Sequence, residues 1–525
     1  MTQDNQTNSN TAHLTIQDHC AVITLDNPPV NGLGMELRQS VSAHLSWAQS
    51  NEHIESVILI GAHGVFCAGA DIRQMNTPKY WTSPRTIELA AQIDTMTKPV
   101  VALLSGIAMG GGLELSLGCH YRIAMEDTKI AQPEIKLGLL PGGGGILRLP
   151  RLLGLENAIE MLLNGETING QQALDIGLVD EVLTKESFDE LLSKGLAFVK
   201  EKLRIAAPLR RTRDMALDLE QASLILERYR RQLKPNAGMA PRVILDCIQA
   251  CLNTTFEDGV RLSNEATQEL MQSSESAALR HLFFIQRQAI KLPPQETRSH
   301  SSPTQINGSI IKLQVFGQTN TNTLQITKTE TFSPQVRDHD FNARITKSND
   351  TLALRLYPNS ELVEVVCPDD LKANDLLTQV LDWLKKNKRI PVISQSWDQA
   401  LVTPLTKALG RLTIQLGEDS RLQQNHALTQ ALESWGLQEF MNYVNTSPLL
   451  AKETRTLPPN ISTEILKPEN IVQHVLTSFA TVSQLLIDQK HIGDTAGLDL
   501  IAVYEMGFPR IKGGPNYCHS LSKAS

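Results

Sequence analysis

The chain has 525 residues, 41% of them hydrophobic, which exceeds one ordinary domain and can bury two or three sizeable cores. Its formal net charge of −7 argues against nucleic acid or an anionic membrane surface as the main partner and leaves small metabolites. Seven scattered cysteines, with no CxxC pair matched by a His or Cys pair downstream, predict reduced thiols, a cytoplasmic location and no metal site.

Residues 1–12 are polar, lack a basic stretch leading into an apolar run, and read as a disordered tail rather than a secretion signal. No run nears the roughly eighteen apolar residues of a membrane helix. From Leu14 to Leu25, short β-branched alternation predicts two strands closing into a turn, with a break at Asp26-Asn27-Pro28-Pro29. Gly34 to Gln49 is a helical run, and strand Val57 to Ile60 delivers the chain to FCAGADI at 66–72. Asp71 to Trp81 reads as irregular, Pro84 to Met96 as a helix and Val100 to Leu104 as a buried strand. A strand, a glycine turn and a helix repeated in sequence predict an α/β arrangement with parallel crossovers.

Gly110, Gly111 and Gly112 then open a helical run with Glu114 in its first turn, and Glu134 follows twenty positions later. Glycines let a backbone approach a ligand closely, and the first turn of a helix offers unpaired N–H groups at its positive end. With the second glycine turn at 66–72, two N–H groups can meet at one oxyanion. The stretches FCAGADI, KPVVALLSGIAMGGGLEL, QPEIKLGLLPGGGG and RLPRLLG, in this order, resemble the successive signatures of the enoyl-CoA hydratase/isomerase (crotonase) superfamily. The resemblance runs from about Leu14 to Leu183. It implies a core at 13–186 of repeated ββα units, with the N–H groups of Ala70 and Gly111 polarising a thioester carbonyl. The two hydratase glutamates fall on Glu114 and Glu134, and Ala68, Ala70, Asp71 and Ile72 fall on the CoA-binding turn.

Leu152 to Leu163 reads as an amphipathic helix, and Gly170 to Asp175 as a helix ending at Gly177. From Ser187 to Leu292 the pattern is helical throughout, with only Pro208, Pro235 and Pro241 as breaks, and is close to the linker helices of multifunctional fatty-acid β-oxidation enzymes, where such a helix returns over the hydratase site. Phe283, Phe284, Arg287 and Lys291 lie on that stretch. Two readings stand for Arg287 and Lys291: solvated ends of a packing helix, or contacts to CoA phosphates. Residues 293–308, rich in Pro, Ser and Thr, form an interdomain linker.

The region 309–395 occupies the place where the multifunctional enzymes begin a NAD-binding unit of Rossmann type. That unit needs G-x-G-x-x-G, whereas residues 317–322 hold a single glycine, Gly317. Glu364 keeps the place of the dehydrogenase glutamate, yet no histidine stands between His339 and Glu364. The resemblance therefore implies a shortened, degenerate remnant that does not bind NAD. Residues 396–525 resemble the all-α C-terminal domain of 3-hydroxyacyl-CoA dehydrogenases, with helical halves at Trp397 to Asn445 and Ile461 to Leu521.

Three functions follow. The first is hydration of 2-enoyl-CoA with 3-enoyl to 2-enoyl isomerisation at the same site, needing no cofactor beyond the CoA thioester substrate. The second is a bifunctional hydratase and NAD-dependent dehydrogenase. The third makes the C-terminal half a scaffold that docks a thiolase or a dehydrogenase.

Overall fold

The computed structural model describes residues 11–289 apart from 76, 185–186 and 235–236. Beyond them it describes the strand backbones 312–316, 323–325, 341–347 and 350–356, together with 361–367, 377, 381–382, 384–385, 388–394, 401, 405, 435–437, 439–440 and 468–524. The chain divides into two compact units, residues 1–276 and 277–525.

In the first unit, the alternation at 14–25 folds into a hairpin of β1 (Ala12–Gln17) and β2 (Cys20–Leu25). The turn residues Asp18 and His19 both take positive φ, which matches the twist of the flanking strands. From β2 the sheet continues in parallel through β3 (Ser56–Gly61), β4 (Val100–Leu104), β6 (Tyr121–Met125) and β8 (Glu181–Leu183). β5 (Ile107–Met109) and β7 (Lys129–Ala131) pair separately, also in parallel. β3, β4 and β6 are buried along their whole length, as strands covered on both faces must be.

The helices of this core are α1 (Met35–Ser50), α2 (Pro78–Trp81), α3 (Thr86–Asp94), α4 (Gly111–Gly118), α5 (Gly145–Leu153), α6 (Leu155–Asn164) and α7 (Gly170–Asp175). The stretch expected to be irregular, Asp71 to Trp81, carries a 3-10 turn at Ile72–Gln74 and the short α2. The helix expected at Leu152 to Leu163 is instead the end of α5 and most of α6, because Gly154 at φ 78° breaks the run. Gly177 closes the turn after α7 with φ 77°.

The helical stretch after 187 resolves into α8 (Phe188–Arg204), α9 (Ala222–Gln232), α10 (Ala240–Leu252), α11 (Phe256–Gln272) and α12 (Ser274–Ala289). α8 lays Leu191, Leu192, Phe198 and Val199 against Ile58, Ile60, Val101, Leu103 and Ile123 of the sheet. The break expected at Pro208 is wider than one residue: residues 205–221 carry only a 3-10 turn at Thr212–Asp214. Their polar groups serve the core instead: Tyr121 donates its hydroxyl to Pro208 O at 2.8 Å, and Thr212 donates to Leu117 O at 2.7 Å.

In the second unit the strands β9 (Lys312–Phe316), β10 (Thr323–Gln325), β11 (Phe341–Lys347), β12 (Asp350–Leu356), β13 (Leu362–Val366) and β14 (Ile390–Ser394) form a sheet in the order β10-β9-β11-β12-β13-β14. Its pairs are antiparallel except β13–β14, which corrects the expectation of a Rossmann-type remnant. Antiparallel neighbours need only a short loop, as between β9 and β10, β11 and β12, and β12 and β13, whereas the parallel pair β13–β14 has the longer connection 367–389 that a crossover requires. The glycine position 317–322, and most of Trp397 to Asn445, lie outside the described residues.

The last part is helical as expected, with α13 (Pro468–Asp488), α14 (Ala496–Tyr504) and α15 (Pro515–Ala524). Phe440, Phe479 and Phe508 meet in its core, the Phe440 and Phe508 rings edge to face at 5.4 Å. Buried Asp499 caps the start of α15 by accepting from Asn516 N at 2.8 Å and Tyr517 N at 3.1 Å.

Candidate active site

Two glycine turns of the first unit converge on one cavity. The turn after β3 is held by Cys67 N to Ile107 O at 2.9 Å and Met109 N to Cys67 O at 3.0 Å, so it runs alongside β5. On its other side Leu33 N donates to Gly69 O at 2.8 Å. A Cβ at Gly112 would sit 2.4 Å from Cys67 O, so the triple glycine is what lets the start of α4 press against this turn. A Cβ at Gly111 would lie 3.2 Å from Ala70 N, and one at Gly69 would lie 3.5 Å from Gly111 N, so the two main-chain nitrogens are close neighbours. Among the described residues neither the Ala70 nor the Gly111 N–H has an acceptor. Both line the cavity, together with Ala68 and Ile72.

Both glutamates face the same cavity. Glu114, in the first turn of α4, is 3% exposed, and its Oε1 accepts from Gly143 N at 2.7 Å and Gly145 N at 2.8 Å. Burial pushes its carboxyl up to about 7, while those N–H groups and the Arg148 guanidinium favour the ionised form. Glu134 sits in a 3-10 turn, Pro133–Leu137, and is half-buried. Withdrawal from bulk water, and then the nearby charge of Glu114, hold its carboxyl well above the ordinary range. The amide of Gln132, oriented by its surroundings, donates to both Glu134 oxygens at 3.0 and 3.2 Å. Gly110 adopts φ 51°, and a Cβ there would stand 2.7 Å from Glu134 Oε1.

Several residues of the site carry no sequence signal of their own. The turn 142–145, legible only as a glycine run, supplies the N–H groups that hold Glu114. Behind it, Arg148 and Asp94 form a buried ion pair at 2.5 Å, with Arg148 also donating to Thr212 Oγ1 at 2.8 Å. Asn264 and Thr267 of α11 complete the lining from the helical stretch, and Arg85 reaches Asn264 at 3.2 Å. Asp71 lies beside the cavity lining and accepts from Arg73 Nε at 2.9 Å and Nη2 at 2.8 Å. Arg287 lies in the second unit, its guanidinium over the Phe283 ring, and Lys291 lies outside the described residues.

A parallel-stranded core with two open N–H groups beside two carboxyls that both hold protons above the ordinary range is suited to proton transfer next to a carbonyl that takes up negative charge. Residues 15–221 match the enoyl-CoA hydratase/isomerase family, and the chain carries a domain of that family with the crotonase fold.

Similar curated proteins include the peroxisomal bifunctional enzyme of Danio rerio, 36% identical over 57% of this chain and 41% of that one. The peroxisomal fatty acid beta-oxidation multifunctional protein of Oryza sativa subsp. japonica is 36% identical over 53% and 39%. The fatty acid oxidation complex subunit alpha of Shewanella frigidimarina is 35% identical over 51% and 39%. The match thus spans about two fifths of the length of these relatives. Among solved structures, an enoyl-CoA hydratase/isomerase from Pseudoalteromonas atlantica T6c is similar at 21% identity, over 52% of this chain and 96% of that one, with a TM-score of 0.39. No helix of the described residues is long and apolar enough to cross a membrane.

Proposed function

We propose that the chain adds water across the double bond of a 2-enoyl-CoA, with 3-enoyl to 2-enoyl isomerisation as a companion reaction of the same site. The observation that carries this reading is the pair of carboxyls, Glu114 and Glu134, on one cavity with the two open N–H groups of Ala70 and Gly111. The thioester oxygen is held by the Ala70 and Gly111 N–H groups, with the CoA portion along Ala68, Ala70, Asp71 and Ile72. Ionised Glu114, anchored through Oε1, takes a proton from the water whose oxygen attacks the β-carbon. The electron pair of the double bond passes to the thioester oxygen as an enolate. Protonated Glu134 then delivers its proton to the α-carbon. Burial and the neighbouring charge of Glu114, which favour a protonated Glu134, support the donor role, and the two N–H groups on Glu114 support the acceptor role.

The test is steady-state turnover of the full chain on a panel of 2-enoyl and 3-enoyl-CoA esters, with products separated by chromatography. Hydration of the 2-enoyl esters is expected. No turnover of any ester would overturn the reading.

The C-terminal part is proposed to be inactive as a NAD-dependent dehydrogenase and to serve in packing or in docking a thiolase or dehydrogenase subunit. The names of the relatives favour a bifunctional enzyme as the second reading. Co-purification of the full chain with a β-oxidation thiolase tests the docking role. A cytoplasmic location rests on the free thiols, whereas relatives carry peroxisomal names.

A further inference from the structure

We propose that Arg38 is a positioning residue that sets acyl-chain specificity by fixing the cavity wall 79–84 against the oxyanion turn; this rests on the enoyl-CoA reading above. Arg38 projects from α1 and is 3% exposed. Its Nε donates to Pro84 O at 2.7 Å, and its Nη2 donates to Lys79 O at 2.8 Å, Thr82 O at 3.0 Å and Tyr80 O at 3.3 Å. The remaining nitrogen, Nη1, donates to Leu33 O at 3.0 Å.

Each of these acceptors is a neutral main-chain carbonyl. A buried guanidinium is costly to withdraw from water, and the usual compensation is a carboxylate. Among the described residues Arg38 has no carboxylate partner at hydrogen-bond distance, and charge-assisted bonds to carbonyls take that place. The acceptors need it as much as it needs them. Lys79 and Tyr80 belong to the four-residue α2, whose Lys79 O accepts only a long main-chain bond, 3.4 Å, from the capping Thr82 N, so a strong donor at this end is favourable. A cation at that end is favourable for the same reason.

The guanidinium is therefore a strut between two parts of the site. At one pole Leu33 braces the oxyanion turn, its N–H on Gly69 O and its backbone bridged to Ala70. At the other, the wall places Tyr80 and Trp81 on the cavity and leads into Thr86, whose methyl would lie 2.8 Å from a Cβ at Gly143. The N–H groups engage the thioester oxygen, and the carboxyls serve the water and the α-carbon beside it. The aromatic wall meets what lies beyond them, so an acyl chain feels the wall only once it is long enough to reach it. Lysine cannot replace the strut, because an ammonium is a point donor and cannot span the fork.

The experiment measures kcat and KM of the full chain on crotonyl-CoA and 2-decenoyl-CoA, with calorimetric binding of butanoyl-CoA and decanoyl-CoA, for the native protein, Arg38→Met, Arg38→Lys and Trp81→Ala. In Arg38→Met the ratio of kcat/KM for the ten-carbon over the four-carbon ester is expected to fall about tenfold, the equivalent of roughly two methylenes losing apolar contact. The fall should lie in KM and reappear in decanoyl-CoA affinity, with Arg38→Lys recovering only part of it. Trp81→Ala, which removes the wall and leaves the strut, should shift the ratio in the same direction and decides the matter if Arg38→Met does not fold. Equal loss on both esters, loss confined to kcat, or an unshifted ratio in Trp81→Ala would overturn the proposal. If the native protein hydrates neither ester the hydratase reading falls, and the two saturated esters still show whether Arg38 controls chain-length discrimination.

Discussion

The two glutamates are the same residue type in one cavity, and what separates them is their surroundings: main-chain N–H groups and the Arg148 guanidinium favour an ionised Glu114, whereas the charge of Glu114 disfavours an ionised Glu134. Glu114→Gln and Glu134→Gln should each lower kcat for hydration by on the order of 10² or more, as loss of a base or an acid does, read from initial rates. Retained turnover in both would remove the assignment. Glu114 also ties stability to pH. Its carboxyl is raised to about 7 from an ordinary 4.5, so between those values the folded protein holds a proton that the unfolded chain releases. The stability it contributes is fully present below 4.5 and is lost as pH rises through about 7. Glu114→Gln keeps the acceptor for Gly143 and Gly145 and abolishes the titration. Its unfolding free energy from urea titration should therefore exceed that of the native protein at pH 8, by up to on the order of 3 kcal/mol, with the gap closing toward pH 4.5. A gap that stays constant with pH would show that Glu114 does not titrate in this range.

At the level of elements, the start of α5 does two things at once. Its glycine turn presents N–H groups to Glu114, and one turn later Arg148 anchors the helix to Asp94 of α3 and Thr212 of the irregular stretch. Arg148→Met should destabilise the first unit by about 3–5 kcal/mol, because Asp94 is left charged and buried without its partner, as read from urea unfolding. The double variant Arg148→Met with Asp94→Leu should recover part of that loss; failure to recover any would place the cost in packing rather than charge. Such elements also show what the sequence could disclose. Glu114, Glu134 and the strands β2, β3 and β4 were legible because side-chain type and hydrophobic pattern carry them. The Gly143 and Gly145 donors and the Arg38 acceptors are main-chain groups, which leave no signature in residue type. Asn264 and Thr267 were hidden by distance along the chain, and the irregular path of 205–221 by a composition that reads as helical.

At the scale of the whole chain, a domain of one family precedes a second unit whose sheet departs from the nucleotide-binding order. Dinucleotide binding in a Rossmann unit uses parallel strands that feed a helix N-terminus through a glycine turn, so that backbone N–H groups reach the pyrophosphate. Here β9, β10, β11, β12 and β13 are joined by antiparallel pairings, and β13–β14 is parallel. Glu364, in the place of the dehydrogenase glutamate, is fully buried on β13 and accepts from Ser394 Oγ at 2.6 Å and Leu401 N at 3.2 Å. Oriented in this way, its carboxylate is engaged in packing the strand, and the sequence provides no histidine between His339 and Glu364 for it to align. Hydride transfer from a 3-hydroxyacyl-CoA needs a base for the hydroxyl proton as well as the nucleotide. The full chain is therefore expected to give no heat of binding with NAD at micromolar to millimolar concentrations, and no NADH absorbance from a 3-hydroxyacyl-CoA under conditions where it hydrates the enoyl ester. Micromolar affinity together with NADH formation would establish a working dehydrogenase built on a different strand order. Affinity without turnover would assign the second unit a nucleotide-binding role separate from oxidation.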